Sequence, residues 1–200
     1  MTRLALLAAC LSFAVSARAA AASDAPAEIQ RAAEQGLRSF ASIGAVPADG
    51  SLGRPFPLYR ARLDTLAAYA PETAPEPTLT DLKQFLVPVY VRGRAAGLMQ
   101  LAVLHGSWRA VAYGQARAAE ALQAVLDERG AERRYALIDA PAIFVMLVED
   151  VGDKTAASVY DDRRLGVKAG EFLPLPRMFA RLALVARRTA PDVPDSAPRP

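Results

Sequence analysis

The chain has one cysteine, Cys10, and one histidine, His105, among its 200 residues. Cys10 lies in an N-terminal segment that we expect to be removed, so the mature protein would contain no cysteine. That absence excludes disulfides, thiol nucleophiles and thiolate metal sites from the mature chain. With one histidine and no cysteine, a zinc ion would have to take most of its ligands from carboxylates. We therefore predict no metal site and no cofactor.

A marked excess of charge and a long uninterrupted apolar run are also lacking. The full chain has a net charge of +3, and loss of residues 1–19 would leave 22 basic and 21 acidic residues. This near balance argues against a nucleic-acid partner, which requires a concentrated basic surface. Beyond the N-terminal segment, the most apolar stretch is interrupted by Asp139 and Pro141. We predict no transmembrane anchor in the mature chain.

The N-terminus has the three parts of a secretory signal peptide. Arg3 provides the positive charge, residues 4–15 are apolar, and Ala17-Arg18-Ala19 is a small-x-small cleavage site. This pattern predicts a periplasmic or secreted protein that is cleaved near Ala19. Leu7-Ala8-Ala9-Cys10 also resembles a lipobox, which would make Cys10 a lipid anchor. We favour cleavage near Ala19, because the apolar run continues past Cys10.

The rest of the chain is long enough for one domain, which we place at residues 20–188. Residues 189–200 contain four prolines and few apolar side chains. This composition is typical of a disordered tail.

The clearest secondary-structure pattern is an antiparallel meander of three strands over residues 86–91, 97–104 and 108–113. Arg92-Gly93-Arg94 and His105-Gly106-Ser107 separate the strands and have the composition of tight turns. Since proline cannot donate a hydrogen bond to a ladder, Pro88 predicts that the first strand lies at a sheet edge. By the alternation of side chains, we expect Trp108 and Tyr113 to face opposite sides of the third strand.

Helical periodicity predicts a helix from Pro26 to about Gly44, a second between Gly114 and Gly130, and a third from Pro176. A helical turn is also predicted at residues 81–85. Further strands are predicted from the apolar runs 134–138 and 142–149, the second of them central in the sheet. Together these elements predict an α+β fold with one antiparallel sheet, the meander plus further strands, covered on one face by helices.

Candidate binding residues come from the meander. Tyr90, Arg92, Arg94 and Arg109 are expected to gather on its exposed face, where they would suit an anionic ligand or partner. His105 is added as a binding candidate on the second turn. Its neighbour Ser107 invites comparison with a base and nucleophile, but no nucleophile-elbow pattern surrounds them, so we predict no catalytic residue.

Acidic residues cluster at two predicted turns, Glu149, Asp150 and Asp153 at one, and Asp161 and Asp162 at the other. Neither turn has the alternating oxygen ligands of a calcium loop. We interpret all five as solvated turn carboxylates.

These observations favour an exported, non-enzymatic module that binds a protein or peptide of the cell envelope through the meander face or an edge strand. The support is mainly negative, since no catalytic motif is present. Two alternatives remain open. One is a cell-envelope hydrolase with carboxylate or serine chemistry, and the other is a periplasmic carrier of a small ligand held between sheet and helices.

Overall fold

A computed structural model describes residues 26–190 of the chain. The predicted signal peptide and nearly all of the predicted tail therefore lie outside the described residues. The helices are α1 (Ala27–Ser42), α2 (Leu63–Ala68), α3 (Ala116–Arg129) and α4 (Leu175–Thr189). The strands are β1 (Gly50–Leu52), β2 (Phe56–Ala61), β3 (Leu79–Val91), β4 (Arg94–Leu104), β5 (Ser107–Gly114), β6 (Tyr135–Ala140), β7 (Val145–Asp150), β8 (Thr155–Ser158) and β9 (Leu173–Pro174).

All the described strands belong to one sheet, in the order β5-β4-β3-β2-β6-β7-β8-β9, with β1 paired to β3. Pairing is antiparallel except between β2 and β6, which run parallel. The predicted α+β class, with a largely antiparallel sheet, is confirmed. The meander forms β3, β4 and β5, and β7 is central between β6 and β8, as its apolar sequence indicates.

Helices cover both faces of the sheet, whereas the sequence predicted coverage of one. Met99 on β4 packs in the cluster that includes α1, and its neighbour Leu98 packs in the cluster that includes α3. Adjacent residues of a strand point to opposite faces, so α1 and α3 lie on opposite sides of the sheet. The same alternation on β6 places α2 and α4 opposite α3: Ile138 packs with α4, and Leu137 packs with α3. No described helix is both long enough and apolar enough to cross a membrane.

Helix α1 crosses β5 at close range because Gly36 faces the sheet. A Cβ at position 36 would overlap the Cβ of Ala110 and would lie 2.8 Å from the Sδ of Met99. Glycine therefore allows the helix backbone to approach β5 more closely than any other residue would.

The prediction that the Pro88 strand lies at an edge is wrong, because β3 is interior in the sheet. Pro88 faces the gap between β1 and β2, where its carbonyl accepts a hydrogen bond from the Gly53 N–H, 2.7 Å away. In a β-strand, the N–H and carbonyl of one residue point toward the same neighbouring strand. The N–H that Pro88 lacks would therefore point into the gap between β1 and β2, where no strand requires a donor.

Residues 81–85 belong to β3 rather than to a helical turn, which corrects a second prediction. Lys83 has a φ of 52°, and the pairing of β3 with β2 is irregular around it. This irregularity breaks the alternation of side chains that would have identified the strand in the sequence.

A β-bulge at Val111 corrects the expected orientation of the aromatic residues of β5. Leu101 of β4 pairs with Ala110 and Gln100 pairs with Ala112, so Val111 has no partner on β4. The extra residue shifts the alternation by one. Trp108 and Tyr113 therefore both pack on the α1 side of the sheet.

Candidate functional site

Both turns of the meander are two-residue hairpin loops with left-handed backbone at each central position. Arg92 and Gly93 have φ values of 52° and 77°, and His105 and Gly106 have values of 50° and 77°. These angles match the type I′ turn, whose twist suits a hairpin. His105 is exposed at its turn, and the hydroxyl of Ser107 donates to the carbonyl of Leu104 at 3.2 Å. The hydroxyl of Ser107 is thus bonded to the backbone of its own turn.

The candidate binding residues lie at two separate ends of the meander. Tyr90, Arg92 and Arg94 lie at the β3–β4 turn, whereas His105 and Arg109 lie at the β4–β5 turn. Strand β4 joins these ends, and at about 3.3 Å per residue it separates them by about 30 Å. The structure therefore does not bring the five residues into one cluster. Their role in binding stays a prediction, to be considered separately for each end.

At the β3–β4 end, the candidate side chains have intramolecular contacts. Tyr90 is half-buried and packs against the cluster formed with α3. The guanidinium of Arg92 lies 3.5 Å from the carboxylate of Asp49, and the Arg92 side chain is 87% exposed. Arg94 is exposed at the start of β4. This end resembles a solvated turn more than a formed site.

At the β4–β5 end, the structure provides an open sheet edge. Strand β5 is paired with β4 on one side and ends the strand order on the other. In a hairpin closed by Leu104 and Ser107, the backbone groups of alternate residues point away from the partner strand. The N–H and carbonyl groups of Trp108 and Ala110 therefore face outward. They form a short template to which another strand can add.

The opposite end of the sheet has no such template. Strand β9 consists of Leu173 and Pro174, and the chain continues directly into α4. Its short length and its proline both disfavour pairing with another strand. Of the two ends of the described sheet, β5 is the one suited to accept a further strand.

A groove runs beside the β4–β5 turn, between this turn and the first half of α1. Its volume is about 490 Å³, and its lining residues are Glu28, Arg31, Ala32, Gln35, Val103, Gly106, Ser107 and Trp108. Three aliphatic side chains nearby remain open to solvent: Val103, Leu104 and Val111 are 46%, 47% and 39% exposed. Val103 pairs with Trp108 across β4 and β5, whereas Arg109, the next residue of β5, lies on the opposite face, where its Nε donates to the Ser107 hydroxyl at 3.3 Å. Together, β5, this groove and these side chains form what we call the β5 edge site.

The acidic turn after β7 has a structural role, and one of its carboxylates is not solvated as the sequence indicated. Asp150 is 1% exposed rather than solvated. Its Oδ1 accepts hydrogen bonds from the N–H groups of Gly152 and Asp153 at 3.1 and 3.3 Å. Its Oδ2 pairs with Arg133, which also bonds Asp153 at 2.6 Å. This network fixes the turn between β7 and β8, and it occupies the carboxylates that a cation would need.

Two half-buried carboxylates have raised pKa values but do not form a catalytic pair. Burial raises the pKa of Asp139, and the facing Arg60, 3.5 Å away, partly offsets this effect. Burial also raises the pKa of Glu149, with smaller contributions from nearby acids. Asp139 pairs with Met146 across β6 and β7, which places Asp139 and Glu149 on opposite faces. Within residues 26–190, no three histidine, cysteine or acidic residues come together as a metal site.

Comparison of the chain with protein-family models, with curated proteins and with solved structures found no match.

Sequence analysis missed the aliphatic part of the β5 edge site. Its residues Val103, Leu104 and Val111 appeared to be ordinary strand positions. Apolar residues follow one another around Val111 in the sequence, so both faces of this strand carry apolar side chains. A single sequence does not show which of the two faces is covered by other elements.

Proposed function

We propose that this chain is an exported, non-enzymatic binding module that takes up an extended segment of a cell-envelope protein at the β5 edge site. The observation that carries the proposal is the unpaired outer side of β5, which is eight residues long. Backbone hydrogen bonds to such an edge supply affinity, and alternate side chains supply specificity. Export follows from the N-terminal pattern and is part of the proposal.

The surroundings of β5 support a partner strand rather than solvent alone. Sheet edges that remain in water are commonly protected by charged side chains, above all lysine, by proline, by a β-bulge or by a covering element. Strand β5 contains neither lysine nor proline, and α1 packs on its face rather than along its open side. Its bulge lies at Val111, beyond the outward-facing backbone groups of Trp108 and Ala110, which leaves that first part of the edge regular. An added strand would lie beside Trp108 and Val111, with Arg109 available to an acidic side chain of the partner.

The test is recovery of a partner from the cell envelope by cross-linking and pull-down of the tagged mature chain. Val111→Lys places a charge at the bulge in the middle of β5 and is expected to reduce recovery of the partner at least tenfold. Leu184→Lys is the matched control, because Leu184 is an exposed aliphatic residue, 54% accessible, on α4. It should leave recovery unchanged.

Equal recovery with both lysine variants would contradict the use of the β5 edge. A partner that is lost with Arg94→Ala but kept with Val111→Lys would instead assign binding to the β3–β4 end. Thermal melts of each variant separate loss of binding from loss of the fold.

A further inference from the structure

A second candidate site lies three strands away from β5, at the carboxyl ends of β2 and β6. These two strands are the parallel pair of the described sheet. After β2 the chain enters α2, and after β6 it enters a 3-10 turn, Pro141–Ile143. Because both strands end at the same side of the sheet and their connections then diverge, a cleft opens between α2 and this turn. In open α/β sheets, ligands bind outside the carboxyl ends of parallel strands where the connections part, and β2 with β6 gives this largely antiparallel sheet one pair of that kind.

The cleft has a volume of about 640 Å³, within the range of about 300–1,000 Å³ that is usual for small-molecule sites. Its walls are mainly small and apolar. The lining residues are Arg60, Ala61, Arg62, Leu63, Asp64, Ala67, Ala68, Pro141, Ala142 and Ala190. The space exists because alanines take positions where longer side chains would fill it. Ala68 and Ala142 are themselves exposed, so apolar surface meets water in the cleft.

The lining of the cleft brings two guanidinium groups together. Arg60 and Arg62 are its cations and Asp64 is its acid, and Asp139 beside Arg60 balances the charge, so recognition of an anion depends on the N–H donors of the arginines rather than on a net positive charge. Arg62 is joined to Asp64 by two hydrogen bonds of 3.0 and 2.7 Å. Arg60 faces Asp139 through a longer contact of 3.5 Å. A guanidinium has five N–H donors in a fixed fork, so Arg60 can donate to a further carboxylate oxygen.

The wall formed by α2 is held in place by the last helix. The Nε of Arg187 donates to the carbonyl of Ala67 at 2.8 Å, and its Nη2 donates to the carbonyl of Tyr69 at 2.8 Å. These bonds satisfy carbonyls at the end of α2 that have no partner within the helix. The cleft is thus bounded by secured backbone rather than by a free loop, which lowers the cost of ordering on binding.

We propose that this cleft binds a small amphipathic carboxylate, with its apolar body against the alanine-lined walls and its carboxylate at Arg60 and Arg62. The site is independent of the β5 edge site and does not rest on the function proposed there. The occupant is a free small molecule of the fatty-acid type.

The test uses decanoate as the probe, below its micellar concentration, with binding followed by calorimetry on the full mature chain. Ala68→Leu and Ala142→Leu fill the cleft from exposed positions and are each expected to weaken binding at least tenfold. Ala124→Leu is the matched control, since Ala124 is an exposed alanine on α3, outside both the cleft and the β5 edge site, and it should bind decanoate as the parent chain does. Thermal melts verify that all three variants are folded.

The head group is tested with decanol and decyltrimethylammonium, which share the apolar chain of decanoate. Decanoate should bind at least tenfold more tightly than either, and Arg62→Gln should reduce this preference without affecting decanol. The absence of decanoate binding would overturn the proposal. Binding that survives both leucine variants, or equal binding of decyltrimethylammonium, would also overturn it.

Discussion

The contact between α1 and β5 makes a prediction in which two physical effects oppose each other. Gly36 lies within α1, and by helix propensity alone Gly36→Ala should stabilise the protein by about 1 kcal/mol. The structure predicts the reverse. The new Cβ would overlap the Cβ of Ala110 and would come within 2.8 Å of the Met99 Sδ, whereas carbon atoms pack at about 3.5–4.0 Å.

Met99 can change its rotamer, but the Cβ of Ala110 is fixed by the β5 backbone, so α1 must move away from the sheet. Overpacking of this kind costs about 1–3 kcal/mol and occasionally more. We expect a cost near the upper end, about 2–3 kcal/mol, because both overlapping atoms are fixed to backbone. After the propensity gain, Gly36→Ala should destabilise the protein by about 1–2 kcal/mol. At about 2–4 °C per kcal/mol for a domain of this size, the melting temperature should fall by about 2–8 °C.

The assay is a double-mutant cycle by urea denaturation. Ala110→Gly removes the obstructing Cβ, so the double variant should be more stable than the sum of the single effects by about 2–3 kcal/mol. A rise in stability with Gly36→Ala, or additive effects in the cycle, would refute the close crossing of α1 and β5.

Three further predictions concern single residues elsewhere in the fold. His105→Gly should retain or raise stability, by up to about 1 kcal/mol, because a left-handed position disfavours a side chain; a clear loss in thermal melts would show that the imidazole makes a contact. Glu149→Gln should raise the melting temperature at pH 7 more than at pH 4. The pKa of Glu149 is raised in the folded state, so between pH 4 and pH 7 the folded chain binds a proton at Glu149 more tightly than the unfolded chain does. The stability of the parent protein therefore falls as the pH rises through this range. A larger gain from Glu149→Gln at pH 4 than at pH 7 would contradict the raised pKa. Asp150→Ala should lower the free energy of unfolding by about 3 kcal/mol or more, because two charge-assisted hydrogen bonds from backbone N–H groups are lost. Asp153 is an exposed partner of the same arginine, so denaturation of Asp153→Ala should show a much smaller loss of stability.

The regular elements of the fold could be predicted because local patterns specify them. The Arg92-Gly93 and His105-Gly106 turns mark the hairpins, and the apolar stripe before Gly130 marks α3. The errors fall where the chain departs from a regular period. The bulge at Val111 reverses the facing of Tyr113, and the left-handed Lys83 obscures the first half of β3. Each departure depends on pairing with a distant strand, which one sequence does not reveal.

The candidate site was less predictable than the fold, for a related reason. A side chain's position on a strand follows from alternation, but its neighbours depend on strand order. Arg94 and Arg109 both flank turns of the same meander, yet Arg109 pairs with Ala102, which lies near the opposite end of β4 from Arg94. Asp150 and Asp153 lie in one acidic turn, yet one is buried and the other exposed. Neither distinction can be read from composition or spacing.

The most direct test of the central claim is site-specific photo-cross-linking in the native cell envelope. A photoreactive residue at position 111 should give a discrete adduct with one envelope protein, and the same residue at position 184 should not. A cross-linked peptide that maps to an extended segment of that protein would support strand addition at β5. No adduct at position 111, or the same adduct from both positions, would contradict it.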